Sequence, residues 1–388
     1  MYGNYMISIL GYYSTQFGEL WERSLFDLVK ESIDSLLKES KIEKKEIDAI
    51  FFSNMMSGIL ENNLHGSSKI AQLLNTHIPI FRSEAACASG GMAVYLAVQY
   101  LKANPGKTVI VVGAEKMTDF SPEEAVEGLM AAASGEEQEA GLTFPGLYAL
   151  LAQIYLNSYH YKHENIGAIS VKNHFHGFLN EKAHFKRKVT LKQVLSSPKI
   201  ASPLGVLDCS PISDGASAII ITSNTKKIKQ AKRTCSILSS EIASDSISFM
   251  ERERLDSLTS TVVAGNKAFK EAGIKRSDIR VAELHDCFSI AEILGMEDLG
   301  FWKKGEGGKR ALAYETMLGN SGSIIVNTSG GLKAAGHPIG ATGIKQVGEI
   351  FLQLTHQADK RQVHDVYYGL AHNVGGSGGT AVVTILGI

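Results

Sequence analysis

Apolar residues recur at helical spacing at Leu25, Phe26, Val29, Ile33, Leu36 and Leu37, and a charged run from Lys38 to Glu46 closes that segment. A strand-like Ile50-Phe51-Phe52 follows. The same order returns later: Leu258, Val262 and Phe269 on a helical pattern, a polar GIKRSD break, then Val281 to Leu284. KIEKKEIDAI overlays GIKRSDIRVA, with Ile42 and Ile47 on Ile274 and Ile279. DGASAIIIT at 214–222 likewise resembles GGTAVVTI at 378–385, a glycine turn feeding a buried strand. One alternating helix–strand unit written twice predicts an α/β protein of two similar domains.

The two offsets differ. Ile47 to Ile279 spans 232 positions and Gly215 to Gly378 spans 163, so the first copy carries about 69 additional residues. They fall between the VIVVGAE strand (Val109 to Glu115) and Asp214, a region holding MAAASGEEQEAG and a His- and Lys-rich stretch from Tyr159 to Lys192. That composition predicts an excursion over the active face rather than a third core, with His160, His163, His174 and His176 on a solvated, partly basic surface. The resulting division is 1–115 with 204–235, an insert at 116–203, and 236–388.

Balanced charge narrows the function. With 39 basic and 40 acidic residues the net charge is −1, so no global field recruits nucleic acid or a membrane. The four cysteines, 87, 209, 235 and 287, show no CxxC spacing and no disulfide-rich density, which points to a reducing compartment. No apolar run reaches the ~18 residues a span needs, and neither end reads as a leader, lipidation or peroxisomal signal, so cytoplasm is the expected location. The His pairs lack a Cys or carboxylate set to complete a metal site. Neither GxGxxG nor GxxxxGK[ST] occurs, so dinucleotide chemistry and nucleotide hydrolysis have no support.

Chemistry concentrates in four stretches. Cys87 lies in SEAACASGG, before a helix marked by Val94, Val98 and Leu101; a strand-to-helix turn there sets the sulfur beside free N–H groups and favours thiolate. HDCFS carries His285 and Cys287 at the end of the strand Val281 to Leu284, where open α/β sheets put ligands. His337 sits in AAGHPIGATG, a loop position of little packing value. His372 and Asn373 precede Gly375 and Gly376, whose bare backbone reaches a ligand closely. A thiolate nucleophile needs a base, an acid and donors for a thioester oxyanion, and these stretches supply all three.

On these motifs the chain resembles the thiolases, most closely the sterol-carrier-protein-type branch with HDCF and its bacterial and archaeal relatives. The resemblance implies duplicated αβαβα halves with an inserted loop domain, and reversible thiolysis of 3-ketoacyl-CoA or Claisen condensation of acyl-CoA. It implies Cys87 as the acylated nucleophile and His337 as its activator, with His285 where many thiolases have an asparagine. Most thiolases carry a second cysteine in a C-terminal CxG loop; HNVGG has none, so Cys287 takes that acid/base role. Asn373, Gly375 and His372 are then assigned to binding and the second oxyanion hole with the Cys87 amide, and Lys182, Lys186 and Arg187 to the phosphates of coenzyme A. Coenzyme A is a substrate and no cofactor is implied. A homodimer or homotetramer is expected, and some archaeal relatives add an OB-fold/zinc-ribbon partner. Two rivals remain at this level: a decarboxylating ketoacyl-synthase-like enzyme, which needs no second thiol, and a silent acyl-CoA-binding subunit.

Overall fold

The computed structural model describes residues 6–320 and 322–388. Among them are twelve strands: β1 Ser8–Ser14, β2 Ala49–Ser53, β3 Ile80–Ser83, β4 Thr108–Glu115, β5 Lys199–Ala201, β6 Leu204–Gly205, β7 Gly215–Thr222, β8 Cys235–Ser244, β9 Val281–Glu283, β10 Ile325–Val326, β11 Tyr368–Gly375 and β12 Thr380–Gly387. Ten join in the order β10-β9-β11-β12-β8-β1-β7-β4-β2-β3, and β5 pairs with β6. From the centre outward, β1-β7-β4-β2-β3 and β8-β12-β11-β9-β10 are the same half-sheet twice. In each, the second strand out runs antiparallel to its neighbours and the outer three run parallel to one another. The halves meet where β1 pairs β8 at Ser8↔Ser236 and Ile9↔Cys235.

Alternation along the strands builds the layers. Ile50 and Phe52, with Ile110 and Val112, face one way and bury Leu25, Leu28, Val29, Ile33 and Leu36 of the Leu25–Ser40 helix. That helix starts at a Ser24/Asp27 capping box and stops at Lys41, whose φ is 58°. Phe51, Val109 and Val111 face the other way, onto the Ser89–Ala103 and Ile339–Leu354 helices. The second half repeats this arrangement: Val281 and Ala371 point to the same two helices, while Ala282, Leu284 and Leu370 meet Ala264, Ala268 and Phe269 of the Thr259–Ala272 helix. Helix, sheet, helix pair, sheet and helix follow in order: the five-layered, duplicated α/β fold expected from the repeat.

The central pair packs backbone to backbone. A Cβ on Gly90 would lie 2.7 Å from the Gly343 nitrogen, and one on Gly113 would lie 2.0 Å from the Gly340 carbonyl oxygen. Nothing larger than glycine fits at either place, so the two helix starts are drawn together and the second is drawn onto β4.

Residues 116–203 depart from the solvated excursion expected of them. Lys116 and the amides of Met117 and Thr118 bind the buried Asp214 carboxylate at 2.6, 2.7 and 3.0 Å, tying the segment's start to β7. Its Phe144–Ser158 and His163–Phe178 helices build a further apolar cluster with the Ser289–Asp298 helix, through Tyr148, Tyr155 and Ile169 against Ile290, Ile293 and Leu294. His174 and His176 are fully buried, as are Lys172 and Asn173. Polarity did not mean exposure because each of these groups has a partner: Lys172 pairs with Glu292, Asn173 reaches Asp286 and Glu292 at 2.6 and 2.8 Å, His174 Nδ1 meets the Arg187 carbonyl at 3.2 Å, and His176 Nδ1 meets the Asn327 carbonyl at 3.0 Å.

Candidate active site

Cys87 follows Ala86, whose φ of 49° bends the chain out of β3, and precedes the Ser89–Ala103 helix. His337 precedes the Ile339–Leu354 helix, and His285 follows β9. The Cys87 sulfur and one ring nitrogen from each histidine lie within 4.8 Å of one another. The two imidazoles meet edge to face, centroids 5.3 Å apart. Cys87, Cys287 and His337 line one cavity of about 310 Å³ whose wall is otherwise mainly apolar, including Met117, Leu129, Phe144, Tyr148, Phe288 and Ile339.

Hydrogen bonds fix the two histidines in opposite polarity. The Thr342 hydroxyl donates to the Pro338 carbonyl at 2.9 Å, so its oxygen is left to accept from His337 Nδ1 at 2.8 Å. His337 Nε2 therefore carries the lone pair. Gly91 N–H donates to Asn373 Oδ1 at 3.0 Å, which orients the amide so that Nδ2 donates to the Cys87 carbonyl at 2.9 Å and to His285 Nδ1 at 3.2 Å. His285 Nε2 then carries the proton. Both Nε2 atoms are buried without a protein partner among the described residues. One is an acceptor and the other a donor. A metal ion would need lone pairs from both rings, and His285 offers only N–H.

Burial governs the protonation states. The Cys87 thiol is pushed up to about 12, mainly by desolvation, eased by a hydrogen bond from the Gly376 amide and raised further by Glu115. The helix start does not make a resting thiolate, contrary to the expectation from sequence; loss of water outweighs it. Cys287 is also raised, chiefly by burial. His337 is lowered to about 3 by burial and Lys345, and His285 is lowered by burial, His337 and His372. At neutral pH the cluster holds two thiols and two neutral imidazoles.

Several other candidates lie elsewhere. His372 points to the opposite face of β11 from Asn373, where Nε2 meets the Thr261 hydroxyl at 2.9 Å, so it does not join the cluster. Gly375 approaches the Ala85 carbonyl, and it is Gly376, with φ 59°, that lines the cavity and donates to Cys87. Lys182 donates to the Ser14 carbonyl and covers the Tyr13 ring at 4.1 Å, lining a separate cavity; its own carbonyl accepts from Phe17 N–H at 3.0 Å, which holds it there. Lys186 is exposed and lines no part of the catalytic cavity, whereas Arg187 does.

Three residues of the site were not anticipated. Glu115, at the end of β4, accepts from the amides of Met55, Met56 and Gly340 at 3.1, 2.9 and 3.0 Å and is raised by burial to about 7. It clamps the His337 loop to the first half; the signal was an acid closing a wholly buried strand. Tyr148 donates to the Gly376 carbonyl at 3.1 Å and touches Cys287. Lys333, 1% exposed, lines the cavity with its ammonium on the Cys209 carbonyl.

Comparison with known proteins agrees along the whole chain. The family described as "Thiolase, N-terminal domain" matches residues 7–225, and "Thiolase C-terminal domain-like" matches 242–388. The chain is 42% identical over 384 residues to "Acetyl-CoA acetyltransferase" of Methanothermobacter thermautotrophicus, covering 98% of both chains. It is 43% identical over 388 residues to the protein of the same name from Methanocaldococcus jannaschii, again covering 98% of each. Human "Sterol carrier protein 2" is 30% identical over 92% of this chain and 67% of that protein. Among solved structures, "Ltp2-ChsH2(DUF35) aldolase" superposes with a TM-score of 0.84 at 21% identity over 98% of this chain and 97% of that one, a likeness of fold. No helix among the described residues is long and apolar enough to cross a membrane.

Proposed function

The chain belongs to the thiolase family and carries out thiolase-type acyl transfer on acyl-CoA, and from that premise we propose that Cys87 is acylated, His337 is its base and Cys287 handles the α-proton. The observation that carries this reading is the meeting of the Cys87 sulfur with two oppositely polarised imidazoles within 4.8 Å.

With both thiols neutral, reaction begins with a proton transfer. The Cys87 thiol gives its proton to His337 Nε2 as the sulfur bonds the thioester carbon, and CoA leaves with that proton. His285 Nε2–H and the amides of Cys87 and Gly376 are donors for oxygen charge that develops in the two half-reactions. In the second half, the Cys287 thiol first passes its proton to His337 Nε2, freed when CoA left; the resulting thiolate removes the α-proton of another acyl-CoA, the carbanion attacks the acyl carbon, and the Cys87 sulfur departs with the proton held on His337. Thiolysis runs these steps backwards.

The names of the archaeal relatives favour acetyl-CoA as acyl donor. Coenzyme A serves as a substrate, with no further cofactor in the scheme. A homo-oligomer in the cytoplasm is the proposed setting. The structural neighbour is named together with a second component, ChsH2(DUF35), which supports looking for a partner protein here as well.

Mass spectrometry after mixing with acetyl-CoA tests the roles. The unmodified protein should gain one acetyl group and release CoA; Cys87→Ala should gain none. Cys287→Ala should retain the acylation burst while condensation falls ~100-fold or more. An adduct surviving Cys87→Ala at full yield, or equal loss of both half-reactions in Cys287→Ala, sinks the assignment.

A further inference from the structure

Among the described residues, four lysines are at least nine-tenths buried: Lys116, Lys172, Lys333 and Lys345. Three of them meet a carboxylate. Lys116 binds Asp214 at 2.6 Å, Lys172 binds Glu292, and Lys345 approaches Glu283 at 3.5 Å. Lys333 has none within 4.0 Å among the described residues; its ammonium donates to the Cys209 carbonyl and lines the cavity that holds Cys87. The two nearest acids are engaged elsewhere. Asp208 takes the Ser289 hydroxyl, the Gly205 amide and His163 Nε2, at 2.9, 2.9 and 2.7 Å. Asp286 takes Asn173 Nδ2 and the amides of Leu332 and Lys333 at 2.6, 2.6 and 3.3 Å.

A buried cation without a counter-charge is costly, and a positive charge beside it adds to that cost. Such a charge is present, on an exposed side chain. Arg187 lines the same cavity, lies 5.4 Å over the Phe185 ring, forms no ion pair among the described residues, and is close enough to disfavour the charge on Lys333. Two like charges facing one cavity describe a place prepared for an anion.

We infer that Lys333 and Arg187 form an anion-binding subsite in the wall of the catalytic cavity, which takes a carboxylate or phosphate oxygen of the acyl-CoA that acylates Cys87. The inference rests on the thiolase reading and adds to it the charge of the bound group and the residue that receives it. The ammonium of Lys333 is lowered to about 8, chiefly by burial, so it is mostly charged at neutral pH and is lost as pH rises past that value.

The test uses the full chain, Lys333→Met and Lys333→Arg with four acyl donors: acetyl-CoA, acetyl-pantetheine, butyryl-CoA and succinyl-CoA. The second lacks phosphates, and the last two differ by a terminal carboxylate. Lys333→Met should raise KM, or Ki for a donor that is not turned over, about tenfold to a hundredfold for the donors whose anion occupies the subsite. Lys333→Arg should restore most of it and abolish the rise in KM of the unmodified protein above pH ~8. A fall in the preference for acetyl-CoA over acetyl-pantetheine identifies phosphate; a fall in that for succinyl-CoA over butyryl-CoA identifies an acyl carboxylate. The same factor on all four donors, or no change on any, overturns the subsite while leaving the thiolase reading intact. Failure of the unmodified protein to acylate Cys87 from any donor overturns the thiolase reading itself.

Discussion

Asn373 has no proton to exchange at neutral pH, yet its orientation decides which nitrogen of His285 carries one. The Gly91 amide fixes its oxygen, and its NH₂ group then faces both the Cys87 carbonyl and His285 Nδ1. Asn373→Asp replaces that donor by an acceptor, so His285 Nδ1 should become protonated and Nε2 should turn from donor to lone pair. The expected result is a 10²–10³-fold fall in kcat, roughly the usual effect of losing one oxyanion donor. Nitrogen NMR of the labelled imidazole should show the tautomer exchanged; an unchanged tautomer with the same loss of rate would count against a positioning role. Residues of this kind were partly legible in the chain. Cys87, His285, Cys287 and His337 stood out because small or glycine-flanked loops give such side chains little packing purpose. The facing of β11 was misread: His372 and Asn373 are neighbours in sequence and therefore point apart in a strand.

At the scale of elements, the His163–Phe178 helix shows how a polar sequence becomes interior. Composition alone cannot distinguish a solvated helix from one whose polar groups meet partners supplied by distant segments, and Glu292, Asp286 and Asn327 are all more than 100 residues away. The strand and helix periodicities, by contrast, were legible because they depend on local spacing. His176 offers a measurable consequence. It accepts from the Leu318 amide at 2.9 Å and is lowered to about 3 by burial and Lys172. Unfolded, it titrates near ~6.5. Between those values only the unfolded state is protonated, so its contribution to stability is complete above pH ~6.5 and is lost as pH falls towards 3. His176→Gln can keep both hydrogen bonds and cannot titrate. The slope of unfolding free energy against pH between about 6 and 4 should drop by about 1.4 kcal/mol per pH unit. Parallel slopes in chemical denaturation of the two proteins would show that His176 is not buried neutral.

Across the whole molecule, the half-sheets end differently from how they begin. β3 is an open edge, and beside it lie Phe81, Leu64 and Ile59 at 44, 80 and 48% exposure. An uncovered edge flanked by large apolar side chains is a self-association hazard unless another chain covers it. We expect sedimentation at micromolar concentration to give a dimer through this edge and Leu64→Glu to shift it towards monomer; a monomeric parent protein would refute the interface.

The glycine contact between the two central helices also has a consequence for synthesis. Cys87 leaves the ribosome roughly 250 residues ahead of His337, an interval of about 10–50 s at ordinary elongation rates. Throughout that interval the thiol has neither its base nor the Gly376 amide that will donate to it. A protein that divided its chemistry differently between the halves could expose a working nucleophile on an unfinished chain. In this one, the nascent Cys87 is an ordinary thiol without its base or oxyanion donors until the second half has docked, and the arrival of catalytic reactivity reports that assembly is complete.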